Sequence, residues 1–494
     1  MNIQQMQFGG GAAGTVVSPI ALAIIFVCGV MICVCGRKWA IAAFLLPAIL
    51  IPEDQVLLIG TLHFPMLRVL ACVGLGRLLW ARFSGKEQVF AGGMNNLDKA
   101  LIGLALSIAV NGVLLWRDTG EIVVQLGNLC TAFGVYFLLR FLVRDSEDLK
   151  QIIRVLAIVA AAVAAIMITE QVTGKNPVYS LLGGARADVF ETVITRDEHF
   201  RASASFGHPI LAGTFGGILF PLFVGLWWID KKSRYYAVLG AVAAVIIPFC
   251  ASSSTALMGL FGGLLGLFFW PVRRWMRAIR WGIVTTLILL HIVMKAPVWD
   301  LISRVDLTGG SSSYHRFQLL NQCILHFWDW ALIGSKTYGF WGWDMWDLCN
   351  QYVAYADPSG LIPLICFLTM IVLGFRYVGK ARRSTRDRKE QFFLWALGSA
   401  LFANVVAFFG ISYFDQTIVA WYALLAMILA ATISVRRGRR RNTGLGSKDK
   451  LSIHVPVEGP DWAVQTAGPV GGLRDDEVET ELPRLPITQR FHTL

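Results

Sequence analysis

Residues 342–367 read GWDMWDLCNQYVAYADPSGLIPLICF. The first half is aromatic and acidic and holds a polar knot of Asp347, Cys349, Asn350 and Gln351; past Gly360 the chain becomes an apolar run. Such a run suits a membrane span, because about 20 helical residues cross a hydrocarbon core of roughly 30 Å. The knot pressed against that span has two readings. It is a loop tying two helices together, or it is an active site at the bilayer surface.

Apolar blocks of similar length recur along the chain. Thirteen spans are expected, at 18–35, 39–51, 56–81, 99–116, 121–143, 150–172, 209–228, 236–251, 255–270, 281–296, 360–378, 391–410 and 417–435. The second is short and suits a re-entrant piece or one arm of a helical hairpin. At 55% hydrophobic and 15% charged, the composition excludes an ordinary soluble chain, which carries about 25% charge. The expected fold class is therefore all-α, a polytopic integral membrane bundle of about 12–13 transmembrane helices with a large extracytoplasmic loop between late spans. The first basic residue is Arg37, so the basic n-region of a cleavable signal peptide is not seen.

Orientation follows from Lys and Arg in the short connections. One alternating set carries Arg37 and Lys38, Lys231, Lys232 and Arg234, Arg273 to Arg280, Arg376 to Lys389, and Arg436 to Arg441; the other set holds few. The basic set is read as cytoplasmic, so the net charge of +12 reflects topology and no nucleic-acid partner is expected. The N-terminus then lies outside and the C-terminus inside. The transmembrane domain, 18–435, has two large external loops, 173–208 and 297–359. Residues 1–17 read as a mobile Gly-rich lead-in. Residues 436–494 read as a cytoplasmic tail, basic at first and then rich in Pro, Gly and charge without apolar periodicity, as in disordered segments. Of nine cysteines, most fall in spans; Cys323 and Cys349 share the second loop, where an oxidising compartment would permit them to pair.

That loop also contains SYHRFQLLNQCILHFWDWALIG, 313–334, in which Phe317, Leu320, Ile324, Phe327, Trp328 and Ala331 recur at helical spacing. This apolar face suits packing against the bundle or lying in the headgroup zone. His315 and Arg316 open this helix. A helix N-terminus favours anions rather than arginine, so a bound anion would explain Arg316 better than the helix dipole does.

Three stretches together resemble the O-antigen ligase and polymerase family of bacterial envelope enzymes. FRASASFGHPILAGTFGGILFPL is similar to that family's Arg-x-Ser-Gly-x-Phe-x-x-Pro-x-x-x-Ala entry into a span, through Arg201, Ser203, Phe206, Pro209 and Ala212 or Gly213. Arg316 and Leu320 reproduce its Arg-x-x-x-Leu motif, and ALIGSKTYGF stands where relatives have Pro-Leu-Leu-Gly-x-Gly. The stretch at 342–367 resembles its His-Asn-x9-Gly-x-x-Gly motif, with Asn350 and Gly360 at that spacing. The resemblance covers about 160–410. It departs from the pattern at Cys349, which replaces the His, at Pro363, which replaces the last Gly, and at Ser254-Thr255-Ala256, which replaces a Ser-Arg-Gly.

The resemblance implies glycosyl transfer from an undecaprenyl diphosphate-linked glycan to a sugar hydroxyl at the outer face of the inner membrane. The membrane lipid surrounds the site, and flippase and chain-length regulator proteins are the implied partners. Guanidinium groups suit the diphosphate because they bind phosphate oxygens bidentately and stay charged; Arg201 and Arg316 are the candidates. The acceptor hydroxyl needs a general base. Asp347 is the first choice, with Asp344, His315 and His208 as alternatives, and helix capping is the competing role for Asp347. If 347–350 is helical, Asp347 and Asn350 share a face and Cys349 points elsewhere. Cys349 would serve as a base only as thiolate. No cofactor is required, and no Asp-x-Asp or His cluster in the sequence points to a metal. Two other readings stay open: a transporter or flippase of lipid-linked sugars, with Glu170 and Arg140 as its few charges near span ends, and a catalytically inactive relative that binds glycan lipid.

Overall fold

A computed structural model of the chain describes residues 15–60, 62–85, 89–184, 194–196, 199–304 and 312–448. The chain divides into two units, Met1–Thr443 and Gly444–Leu494. Of the second, the described part is the end of the last helix, to Lys448, and the remaining tail and most of the lead-in lie outside the described residues.

The first unit is helical almost throughout. Its elements are α1 (Pro19–Val34), α2 (Arg37–Leu50), β1 (Val56–Ile59), β2 (Leu62–Pro65), α3 (Met66–Phe83), α4 (Asn96–Trp116), α5 (Thr119–Leu142), α6 (Ser146–Thr173) and α7 (Pro177–Leu182). A hairpin of β3 (Ile194–Arg196) and β4 (His199–Arg201) leads to α8 (Pro209–Ile229), α9 (Arg234–Cys250), α10 (Ser254–Phe268) and α11 (Met276–Val293). The shorter α12 (Ser312–Leu325), α13 (Phe327–Trp330) and α14 (Gln351–Ala356) precede α15 (Leu361–Ser384), α16 (Arg388–Ala407) and α17 (Thr417–Lys448).

Among the described residues, nine helices are long and apolar enough to cross a membrane: α4, α5, α6, α8, α9, α11, α15, α16 and α17. The chain is a multi-pass membrane protein; of the thirteen spans expected, nine meet this length and apolarity among the described residues. α1 and α10 are apolar but shorter, and α2 has only 14 residues. The block at 56–81 is not one helix. Gly60, at φ +64, breaks the run, and β1 and β2 pair antiparallel with Val56 opposite Pro65 and Ile59 opposite Leu62. A left-handed glycine supports such a turn, and Pro65 then starts α3, which carries Arg68, Arg77 and Arg82.

α8 is the axis of the bundle and packs on α9, α10 and α16. Its small residues permit this. A Cβ on Gly217 would stand 2.8 Å from the Ala256 carbonyl oxygen and 2.9 Å from the Leu260 nitrogen, so the backbones of α8 and α10 meet directly, as small residues allow between membrane helices. Lipid-side faces remain apolar, as at Phe26, Phe268 and Trp281.

The two ends of the bundle differ in chemistry. At one end, Arg37 reaches Asp145 and Asp148 at 3.4 Å each and Arg154 reaches Asp230 at 2.7 Å. At the other, helix ends are stitched by neutral hydrogen bonds: Gln416 Nε2 donates to the carbonyls of Ile51 (3.1 Å) and Ser205 (2.8 Å), and Gln55 Nε2 donates to Leu182 and Gly183. The candidate site residues gather at this second end.

Candidate functional site at the ends of α8, α10 and α16

The segment between α11 and α15 folds back on itself. Leu361 N donates to Ala331 O (3.0 Å), Ser335 N donates to Asp357 O (2.7 Å), and Asn111 Nδ2 of α4 donates to Ser359 O (2.5 Å). The two stretches quoted separately, 331–335 and 356–361, are thus one paired unit. The expected helix opening at His315 and Arg316 is present as α12, with a break at His326 before α13. Of its apolar set, Leu320, Phe327 and Ala331 pack against Cys323, Trp330, Val353 and Ala356, while Ile324 and Trp328 are exposed. Arg316 and Leu319 are buried as well.

Arg316 is only 4% exposed. Its Nη2 donates to Thr255 Oγ1 at 2.7 Å, and its Nε lies 3.4 Å from Gly410 O. Thr255 Oγ1 in turn donates to Gly410 O at 3.2 Å. Thr255 lies in the first turn of α10 and Gly410 just beyond α16, so three separate segments build one seat. A side chain at 410 would spoil it, because a Cβ there would stand 2.6 Å from Thr255 Oγ1. A buried guanidinium is costly unless its donors are satisfied, and this seat supplies acceptors to Nη2 and Nε.

Beside it, His315 Nε2 lies 2.9 Å from Asp344 O and Nδ1 lies 3.3 Å from Cys349 Sγ. A carbonyl oxygen only accepts, so in the neutral ring Nε2 carries the hydrogen and Nδ1 presents its lone pair to the thiol. Asp347 joins them: the ligand atoms of His315, Asp347 and Cys349 all lie within 4.8 Å of one another. Cys349 is buried, and desolvation pushes its thiol up to about 12, with the Asp347 charge adding to the rise and Arg316 opposing it. The thiol is therefore a neutral donor and no base. Asp347 stands at the exposed rim. Desolvation by its surroundings still raises its carboxyl above the usual range, while the nearby charges of His315 and Arg316 pull it down.

Residues 347–350 are not helical, so Asp347 and Asn350 do not share a helical face. Helix α14 starts at Gln351 with Asn350 as N-cap, its Oδ1 accepting from Tyr352 N (3.0 Å) and Val353 N (3.3 Å). Capping thus falls to Asn350, which is wholly buried, and Cys349 turns toward His315 instead of away from it. Cys323 and Cys349 are both free thiols. Cys323 sits against Asp357, whose carboxyl burial pushes up to about 7.

Arg201 and His208 flank the start of α8. Arg201, at the end of β4, is largely buried. Glu170, near the end of α6, accepts from Ser203 N (2.8 Å) and Ala204 N (2.6 Å), and Asn176 Nδ2 donates to Ala204 O (2.8 Å). These bonds hold Ala204 at φ +52 and fix where Arg201 emerges. His208 caps α8, its Nδ1 accepting from Ile210 N at 3.1 Å. Desolvation and the Arg201 charge lower its pKa to about 4, so it stays neutral, and the nitrogen that would act as base is already engaged.

The two arginine groups are linked through residues 250–255. Ala202 N donates to Cys250 O at 3.1 Å, next to Arg201, and Arg316 grips Thr255. Sequence reasoning missed Glu170, Thr255 and Gly410 as site-building residues. The departure at 254–256 marks Thr255's position, but its contact with Arg316 spans 61 residues and has no local signature. The grouping of His315 with Cys349 and Asp347 was missed as a possible ligand set for the same reason. The chain matches no protein-family model and no curated protein sequence.

Proposed function

We propose that the chain is a polysaccharide-assembly glycosyltransferase, an O-antigen or exopolysaccharide polymerase or ligase. It would move glycan from undecaprenyl diphosphate to a sugar hydroxyl at the outer face of the bacterial inner membrane. The observation that carries this reading is a buried arginine, Arg316, seated on Thr255 and Gly410 beside the cluster of His315, Asp347 and Cys349 at one end of a membrane bundle. Charged groups buried in such proteins are expensive and mark function. With the basic end cytoplasmic, the N-terminus and the site lie outside and the C-terminus inside; a flippase and a chain-length regulator would then work alongside it.

In this reading Asp347 takes the proton of the acceptor hydroxyl as its oxygen attacks the anomeric carbon. The bond from that carbon to the diphosphate oxygen breaks, and Arg316, with Arg201, stabilises the charge left on the lipid diphosphate. No metal or nucleotide sugar enters the step. The charges once weighed for transport have structural partners instead: Arg140 lies 3.6 Å from Asp98, and Glu170 holds backbone amides.

The test is glycan elongation in proteoliposomes supplied with undecaprenyl diphosphate-linked repeats. Arg316→Ala should abolish elongation in protein that elutes and unfolds like the parent, and Asp347→Asn should lower turnover steeply. Full elongation by Arg316→Ala would overturn the assignment. Movement of the lipid between leaflets without chain growth would point to transport.

A further inference from the structure

We propose that His315, Asp347 and Cys349 form a binding site for a zinc-class divalent cation. The ligand types are those of a zinc site with an open position: imidazole nitrogen, thiolate sulfur and carboxylate oxygen, plus water. The geometry is close to what such an ion needs. With Zn–S of about 2.3 Å and Zn–N of about 2.0 Å, a tetrahedral ion sets sulfur and nitrogen about 3.5 Å apart. The observed Cys349 Sγ to His315 Nδ1 distance is 3.3 Å. The third ligand atom is within 4.8 Å of the others, and Asp347 sits at the exposed rim, free to close the remaining gap. Solvent at that rim supplies the fourth ligand.

A second observation points the same way. The far nitrogen of His315 is held by Asp344 O at 2.9 Å, and Asp344 adopts φ +56. A backbone carbonyl on the non-ligating N–H is the support that metal-bound imidazoles use, since it fixes tautomer and ring orientation. Here it leaves the Nδ1 lone pair facing Cys349 Sγ at 3.3 Å, with a ligand oxygen of Asp347 within 4.8 Å. A sulfur ligand favours zinc and its neighbours over magnesium or calcium, which take oxygen. Binding converts the Cys349 thiol to thiolate and releases one proton to solvent for each ion bound. On the transferase reading, and resting on it, the ion occupies the Asp347 carboxylate and so inhibits transfer.

The experiment titrates Co²⁺ into the purified full chain in detergent, without any glycan, and then displaces it with Zn²⁺. The expected result is one Co²⁺ per chain, visible d–d bands of a tetrahedral ion, and a near-ultraviolet thiolate-to-metal charge-transfer band that Zn²⁺ abolishes. Cys349→Ala should remove the charge-transfer band. Asp347→Asn, a rim change that leaves the buried packing intact, should weaken Co²⁺ at least about tenfold. An unchanged spectrum in Cys349→Ala, or affinity unchanged in Asp347→Asn, would overturn the site. A chain that binds Co²⁺ as expected but elongates no glycan keeps the metal site and loses the transferase reading. An active chain whose elongation ignores saturating Zn²⁺ overturns the inhibition.

Discussion

Thr255→Val isolates the seat of Arg316, because valine keeps the shape of threonine and removes one oxygen. That oxygen accepts from Arg316 Nη2 at 2.7 Å and donates to Gly410 O at 3.2 Å. The first is a hydrogen bond to a charged group, worth about 1.5–3 kcal/mol net. Thr255 is completely buried, so water cannot replace the lost partner in that pocket. If half to all of that energy orients the guanidinium toward the diphosphate in the transition state, a loss of about 2 kcal/mol slows elongation roughly 30-fold. The assay is initial elongation rate in proteoliposomes, with unfolding temperature measured on the same preparation. Arg316→Lys is the companion: it keeps the charge and loses the fork, and combined with Thr255→Val it should add little further loss, since both act on one contact. Wild-type elongation by Thr255→Val, or fully additive losses in the pair, would refute the idea that Thr255 positions Arg316.

Asn350→Ala removes the N-cap of α14 and should lower stability by about 1 kcal/mol, read as a lower unfolding temperature; Asn350→Asp keeps the capping oxygen and should recover most of it. Glu170→Ala strips two buried amides, those of Ser203 and Ala204, of their acceptor and should cost about 2–3 kcal/mol, with Glu170→Gln recovering part; a neutral Glu170→Ala would show that the segment is held by other contacts. Burial pushes the Asp357 carboxyl up to about 7, against roughly 3.9 in an unfolded chain. The folded state therefore holds this proton where the unfolded state has released it, so stability contributed here falls as pH rises from about 4 to about 7. Asp357→Asn should flatten that slope in unfolding temperature against pH, and an unchanged slope would assign the dependence to other groups.

The membrane class was legible because apolar block length alone carries it, and all thirteen blocks do contain helix. Where the count failed, the reason is local. The 56–65 stretch is as apolar as a span, yet Gly60 and Pro65 divide it into a hairpin, and hydropathy does not register backbone conformation. Around the site, Asn350 stands immediately before a helix, which is a legible capping position. The face of α12 was legible in part: Leu320, Phe327 and Ala331 pack as their spacing suggests, while the burial of Arg316 depends on acceptors that belong to α10 and to the end of α16.

The contacts of Thr255 and Cys349 explain why the two departures at these positions belong together. Thr255 stands where an arginine is common in the resembling family, and it spends its hydroxyl on Arg316. Cys349 stands where a histidine is common, and its neutral thiol faces the imidazole of His315. An arginine at 255 would place a second cation against Arg316 in a buried pocket, where like charges repel strongly. A histidine at 349 would set a second imidazole against His315, and protonation of both rings would leave two N–H donors facing each other. Threonine and cysteine each convert a charged or titrating neighbour into a neutral partner. The result is a cluster in which Asp347 is the carboxyl left at the exposed rim.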